Sequence, residues 1–287
     1  MYADWLIPDW SAPANVRAVF TTRSGGASRL PWDSMNLGDH VFDDPEHVQA
    51  NRAFLQKTTG THAVFLKQVH GTEVLSLDAS FMPDGLRADA CFSTQRNLAC
   101  TIMVADCLPV LLASEDGAVV AAAHAGWRGL AGTDGQGVLE SVVKAMNATH
   151  PDNSKNYQTL VNESFVPVAL SIVGNSAIKI VAWLGPCIGP SAFEVGADVK
   201  RAFEHTHRDA DQYFASLGKD KYLADLAGLA RLRLQALGVS QISGNDGTAP
   251  WCTVSNPSRF FSHRRDAGAH GNGFQTTGRM AACVWRA

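Results

Sequence analysis

No stretch of this 287-residue chain approaches the roughly 18–20 consecutive apolar residues that a membrane-spanning helix requires, so no membrane partner is expected. A basic excess is also missing. The formal net charge is −3 and the pI near 6.3, and nothing in the overall field attracts nucleic acid or an anionic bilayer. The opening residues, Met1-Tyr2-Ala3-Asp4-Trp5-Leu6-Ile7-Pro8, lack the basic start and long apolar run of a signal peptide, and a cytoplasmic location is the expectation. Six cysteines include no CxxC pair, and in a reducing compartment they are read as free thiols, mostly small buried hydrophobes. Neither GxxxxGK[ST] nor HExxH occurs. The signature H-x-E…P-C-x-x-C of zinc deaminases is absent too, because His70 is followed by Gly-Thr-Glu and Cys107 by Leu-Pro-Val. No internal repeat and no clean linker divide the chain, which reads as one domain over 1–287.

What is present is a large apolar core and a mixture of strand and helix signals. Hydrophobic residues make up 46% of the chain, enough for a sizeable core. Strands are expected over 16–23, 64–69, 73–78, 99–105, 109–113, 118–123, 180–184 and 279–285, from β-branched and apolar runs bounded by turn residues. Asp44-Pro45-Glu46 followed by Val48, Asn51, Phe54 and Leu55 reads as a capped helix start. Further helices are expected over 135–146, 195–205 and 222–237, the last closed by Gly238. The polar, turn-rich segment at 150–177 interrupts this order and is read as an inserted surface excursion. Adjacent short strands with several helices indicate an α/β (α+β) domain with mixed sheet pairing, not a regular βαβ succession.

Three residues carry the chemistry. His70, Cys107 and His124 each lie at the apparent end of an apolar strand, and two imidazoles with a thiolate suit zinc or copper better than magnesium or calcium. Three protein ligands would leave a coordination position open, which is a catalytic geometry. The same residues support a second reading, Cys107 as nucleophile with His124 or His70 as base and Asp106 or another carboxylate orienting the imidazole. A third is a structural metal in a partner-binding protein, which a fourth ligand such as Cys187 would favour. Thr22-Arg23-Ser24-Gly25-Gly26 offers backbone donors and a guanidinium to an anion. Asn36 in Met35-Asn36-Leu37-Gly38 can read a base edge, and Arg264 in His263-Arg264-Arg265-Asp266 is a candidate anion contact.

Taken in order, Phe20-Thr21-Thr22-Arg23, Met35-Asn36-Leu37-Gly38, Gln68-Val69-His70-Gly71, Ala88-Asp89-Ala90, Ala105-Asp106-Cys107-Leu108-Pro109-Val110, Ala123-His124-Ala125-Gly126-Trp127-Arg128-Gly129 and Leu184-Gly185-Pro186-Cys187-Ile188-Gly189-Pro190 resemble the YfiH-like family. Its members are described as purine nucleoside phosphorylases, laccase-type polyphenol oxidoreductases and peptidoglycan editing factors. The resemblance implies a metal at His70, Cys107 and His124, zinc by usual assignment with copper as the alternative. It implies layered mixed sheets flanked by helices, similar to a bacterial toxin deamidase that uses Cys and His. The implied activity is phosphorolysis of adenosine, inosine, guanosine and methylthioadenosine, with adenosine deamination beside it. Small-molecule partners follow, a purine nucleoside and phosphate, in a monomer or weak homo-oligomer.

Phosphorolysis needs cations to hold phosphate, a role open to Arg23, Lys67 or Arg264. Asn36 and Asp106 are candidates for substrate contacts or for orienting a metal ligand, Asp106 standing with Cys107 and His124 as a catalytic candidate. Two alternatives remain at this stage. One is a Cys/His hydrolase or peptidoglycan-precursor editing enzyme, the other a copper-dependent polyphenol oxidase. A full multicopper assembly is excluded, since ten histidines with His205-Thr206-His207 as their one HxH pair cannot build it.

Overall fold

Strands that are apolar on both faces must be covered on both faces, and the computed structural model, which describes residues 4–77, 84–151, 177–267 and 276–287, shows how. β1 (Val16–Phe20), β13 (Met280–Arg286), β5 (Leu98–Val104) and β2 (His62–Phe65) form a four-stranded sheet in that order, with β2 and β5 parallel. A six-stranded sheet runs β12 (Gln241–Gly244), β8 (Ile180–Leu184), β6 (Leu108–Ser114), β7 (Val120–Ala125), β4 (Ala90–Ser93) and β3 (Val74–Ser76), parallel at its two outer pairs and antiparallel between. Side chains alternate across each strand. Leu111, Ala113, Val120, Ala122, Val181 and Trp183 pack against Phe20, Cys100, Ile102, Ala282 and Val284 of the smaller sheet. Their neighbours Val110, Leu112, Ala121, Ala123 and Leu184 pack against α3 (Val138–Thr149) and α5 (Leu226–Ala236). The outer face of the small sheet is covered by Trp5, Met35, Leu37 and Leu55, the last from α1 (Pro45–Thr59). The layers are therefore helix, sheet, sheet, helix, the layered mixed α/β arrangement expected.

Local chemistry sets the element ends. Asp44 caps α1 by accepting from the Glu46 N–H at 2.9 Å, and Gly60 closes it in the left-handed region. The helix expected from 222 instead starts at Leu226, where the Asp225 carboxylate accepts from the Gly228 N–H at 2.9 Å. The four residues before the cap form β11 (Lys221–Ala224), in an antiparallel trio with β10 (Phe214–Gly218) and β9 (Glu194–Gly196). Strand pairing there overrides the amphipathic pattern. β9 likewise takes the first residues of the helix expected over 195–205, leaving α4 at Ala197–Glu204. His263–Asp266, expected as a charged loop, is a short helix, α6, capped by Ser262. Most of the excursion expected at 150–177 lies outside the described residues.

In α5, Arg233 is fully buried and forms a two-pronged ion pair with Glu140 of α3, its Nε 2.9 Å from Oε1 and its Nη2 2.8 Å from Oε2. Its remaining donors reach the carbonyls of Ala131 and Gly135. One guanidinium thus ties α5 to the start of α3 and to the loop after α2 (Trp127–Ala131).

Candidate active site

The two sheets deliver three ligand-bearing side chains to one end of the sandwich. His70 sits on the loop after β2, Cys107 precedes β6 and His124 is the next-to-last residue of β7. Pro109 pairs with His124 across the β6–β7 ladder, which sets Cys107 beside the strand end that carries the imidazole. The ligand atoms of His70, Cys107 and His124 all lie within 4.8 Å of one another, with Cys107 Sγ 3.7 Å from His70 Nε2. Gly126 makes this approach sterically feasible. A Cβ there would lie 2.8 Å from the His70 ring and 3.1 Å from Cys107 Sγ.

A buried carboxylate organises the group. Asp89 accepts hydrogen bonds from three consecutive backbone N–H groups, those of Val69 (3.1 Å), His70 (2.8 Å) and Gly71 (2.7 Å). These bonds stabilise His70 at φ 61, a left-handed conformation that is unfavourable for a residue with a side chain. The same carboxylate lies 2.9 Å from His124 Nδ1. Nδ1 therefore carries a proton in either state of the ring, and Nε2 acts as ligand or base once it has lost its own. Asp89 fixes two of the three donors at once.

Burial raises the Cys107 thiol, but the neighbouring imidazoles of His124 and His70 more than offset it and hold the thiol at about 6. Burial alone would lower His124. The facing Cys107 thiolate and the Asp89 carboxylate instead raise it to about 9. The metal-free site is thus a thiolate beside an imidazolium. In chelator-stripped protein, iodoacetamide labelling of Cys107 should increase with pH as the thiolate forms, with a midpoint near 6. Peptide mass spectrometry across pH checks this; a midpoint above 8 would show that the imidazoles do not stabilise the thiolate. The donor set of two imidazoles and a thiolate, with one ring fixed by a carboxylate, fits a borderline-soft divalent metal.

The three donors open onto a cavity of about 410 Å³. Met103, Ile188, Phe193 and Leu226 give it apolar walls, while Asp106, His263, Arg264 and Arg279 add polar ones. Asp106 and Arg264 are thus beside the donors, but Asp106 does not orient an imidazole. Its carboxylate accepts from the Thr253 hydroxyl and from the Arg264 N–H, both at 2.6 Å. Arg23, Asn36 and Lys67 are not among the described residues lining this cavity. Arg23 donates to the Asp33 and Pro257 carbonyls and pairs with the Asp33 carboxylate at 3.2 Å, bracing its own loop. Asn36 is buried and fully used by its own turn, by Asp43 and by the Arg279 N–H, and Lys67 is exposed. Cys187 is also apart from the cluster. It contacts the Asn245 amide and the Ile188 carbonyl, and burial pushes its thiol well above the ordinary value. Asp89 and Arg279 were not singled out from sequence. The one available signal for Asp89 was its place in the Ala88-Asp89-Ala90 motif, which carries no role by itself.

A family model described as multi-copper polyphenol oxidoreductase laccase matches residues 17–170 and 161–287. The purine nucleoside phosphorylase YfiH of Escherichia coli is 42% identical over 282 residues, 98% of each protein. The chain belongs to this laccase-like YfiH family. A purine nucleoside phosphorylase of Pseudomonas aeruginosa is 43% identical, again over 98% of both proteins. Two solved structures share the YfiH-family fold. A Neisseria meningitidis protein superposes with a TM-score of 0.77 at 39% identity over 99% of each chain. YlmD of Geobacillus stearothermophilus superposes at 0.76 with 27% identity, covering 100% of this chain and 97% of its own. Among the described residues there is no second group of three His, Cys, Asp or Glu side chains arranged to hold a metal ion. The multi-copper wording of the family description therefore has no matching set of ligand clusters there.

Proposed function

We propose that this protein is a metal-dependent purine nucleoside phosphorylase, with zinc at His70, Cys107 and His124. The observation that carries the reading is that these three donors open onto the same cavity as apolar walls and two guanidiniums. The name borne by its relatives gives the substrate class, and adenosine, inosine, guanosine and methylthioadenosine are the substrates to assay. A bound zinc ion supplies Lewis-acid polarisation of an oxygen in the cavity.

The rest falls to the chain's own residues. Met103, Ile188, Phe193 and Leu226 offer apolar surface to a purine. The reaction breaks the C1′–N9 bond, forms a bond from C1′ to a phosphate oxygen, and leaves the proton of hydrogen phosphate on the purine. Its transition state places positive charge on the ribose, which a phosphate held close by cations can approach and stabilise. Arg264 is one such cation, and Asp106 holds its backbone in place.

The Cys107–His124–Asp89 chain favours a second reading, a thiol hydrolase in which Asp89 orients the base. Elemental analysis together with adenosine turnover, with and without phosphate, separates the two. About one zinc per chain, with adenine and ribose 1-phosphate appearing only when phosphate is present, is the expected result. Inosine formed without phosphate would show the deamination that the resemblance implies. Metal-free protein that cleaves amides would establish the hydrolase.

A further inference from the structure

The turn at residues 36–38 holds one side chain of the active-site wall. Asn36 Oδ1 accepts from the N–H groups of Gly38 and Arg279, both at 2.9 Å. Asn36 Nδ2 donates to the Gly38 carbonyl at 3.1 Å and to the Asp43 carboxylate at 2.8 Å. The Leu37 N–H reaches the Arg279 carbonyl at 3.0 Å, so the backbone of Arg279 is held at both its N–H and its carbonyl. Gly38 then lies against the stem of Arg279. A Cβ there would be 2.7 Å from Cγ and 3.2 Å from Cβ of that side chain. The guanidinium so placed lines the cavity that His70, Cys107 and His124 share.

Arg279 is under-partnered. Its Nη1 donates to the Thr277 carbonyl at 2.8 Å and to the Gly278 carbonyl at 3.3 Å, and it forms no ion pair with a carboxylate among the described residues. Cys107 and Asp106 act on it only through space, so most of its N–H groups have no acceptor among the described residues, and an anion entering the cavity would supply one. Arg264 adds a second guanidinium, whose bonds are to the carbonyls of Ala192 (3.4 Å) and Glu194 (3.2 Å). Asp106 is the one carboxylate among the described lining residues, and the Thr253 hydroxyl and Arg264 N–H already occupy it. His263 sits close to both guanidiniums. Burial and their positive charge push it below the ordinary histidine value, which favours its neutral form beside them.

We propose that Arg279, positioned by Asn36 and Gly38 and assisted by Arg264, binds inorganic phosphate in this cavity, and that this phosphate is the co-substrate, a role that rests on the phosphorylase reading above. The planar guanidinium fork matches two oxygens of a tetrahedral oxyanion. The bound phosphate oxygen forms the new bond to C1′ as the C1′–N9 bond breaks, and its proton leaves with the purine.

The test uses metal-loaded, full-length protein. Phosphate binding is measured by titration calorimetry at constant ionic strength, and KM is measured separately for phosphate and for nucleoside. Arg279→Gln should weaken phosphate binding and raise its KM about 10–100-fold, the range for charged hydrogen bonds. Metal content and nucleoside KM should stay within about threefold of wild type, the residual scatter of an uncoupled site. Gly38→Ala keeps the charge but displaces the stem, and should raise the phosphate KM while sparing the nucleoside KM. A purely structural role for the turn would not produce that split. Arg279→Lys, which retains the charge without the fork, carries the test if the glutamine variant does not fold, and should also weaken phosphate binding.

Unchanged phosphate affinity in a folded Arg279 variant overturns the proposal. So does loss of adenosine 5′-phosphate binding with inorganic phosphate binding intact, since the subsite would then take an esterified phosphate. If Arg279→Gln abolishes phosphate binding but the wild-type protein cleaves no nucleoside, the subsite stands and the phosphorylase reading falls.

Discussion

Cys107→Ala is expected to remove both stoichiometric metal and nucleoside phosphorolysis. Cys107 is the one sulfur among the three donors, and its Sγ faces the His70 imidazole across 3.7 Å. Two imidazoles alone make a much weaker site. The loss in metal affinity should exceed about 100-fold, the upper end of what removal of an outer-shell partner costs. His124→Ala should reproduce the same double loss, because it removes a ligand and not a nucleophile. The hydrolase reading predicts a different pattern. Under it, Cys107→Ala abolishes activity while metal content stays unchanged. Elemental analysis of the two variants beside wild type, with turnover measured on the same preparations, distinguishes the outcomes. Cys107 is half-buried and its truncation leaves a small gap, so that variant should fold; His124 is buried against Asp89, and thermal unfolding of His124→Ala is measured before its metal content is compared.

The donors themselves were legible in the sequence because their chemistry resides in residue type. A histidine or cysteine at the end of an apolar strand is unusual enough to notice, and His70, Cys107 and His124 were found that way. The layers were legible for a related reason. β5, β6 and β7 are buried along their whole length and read as unbroken apolar runs. What stayed hidden depends on contacts between distant segments. Asp89 works through N–H groups 18–20 positions upstream and a ring 35 positions downstream, and no local pattern announces such a partner. Arg279 needs Asn36, 243 residues earlier, to hold it. Conversely, Arg23 and Asn36 carried promising side chains whose donors and acceptors are consumed in bracing backbone, Arg23 at Asp33 and Pro257 and Asn36 at its own turn and at Arg279. Polar residue type indicates capacity, and only the fold shows which capacity is left unspoken for. The start of α5 illustrates the same limit, since residues 222–224 belong to an amphipathic pattern but find strand partners in β9 and β10.

Asp89 is where loss of one outer side chain should have the largest effect. It has no solvent exposure and serves four donors, three on the loop carrying His70 and one on the ring of His124. Asp89→Ala would leave those donors without an acceptor, and destabilisation of about 3–5 kcal/mol is expected, the range for breaking a buried charged pair. Thermal unfolding checks this value; a loss below about 1 kcal/mol, the worth of an ordinary hydrogen bond, would contradict it. Asp89→Asn tests function more sharply, because it keeps the shape. Its one amide oxygen, in place of Oδ2, can still accept from Val69 and Gly71, while its NH₂ group, in place of Oδ1, faces His124 Nδ1 and gives up the bond from the His70 N–H. That reversal favours the tautomer with the proton on Nε2, the nitrogen that must be free to bind the metal. The asparagine variant should therefore remain folded yet lose about 10–100-fold in metal affinity, the range for a partner that orients a ligand. Comparing the two substitutions weighs what one carboxylate does: alanine removes every acceptor, whereas asparagine keeps those for Val69 and Gly71 and reverses the proton on His124.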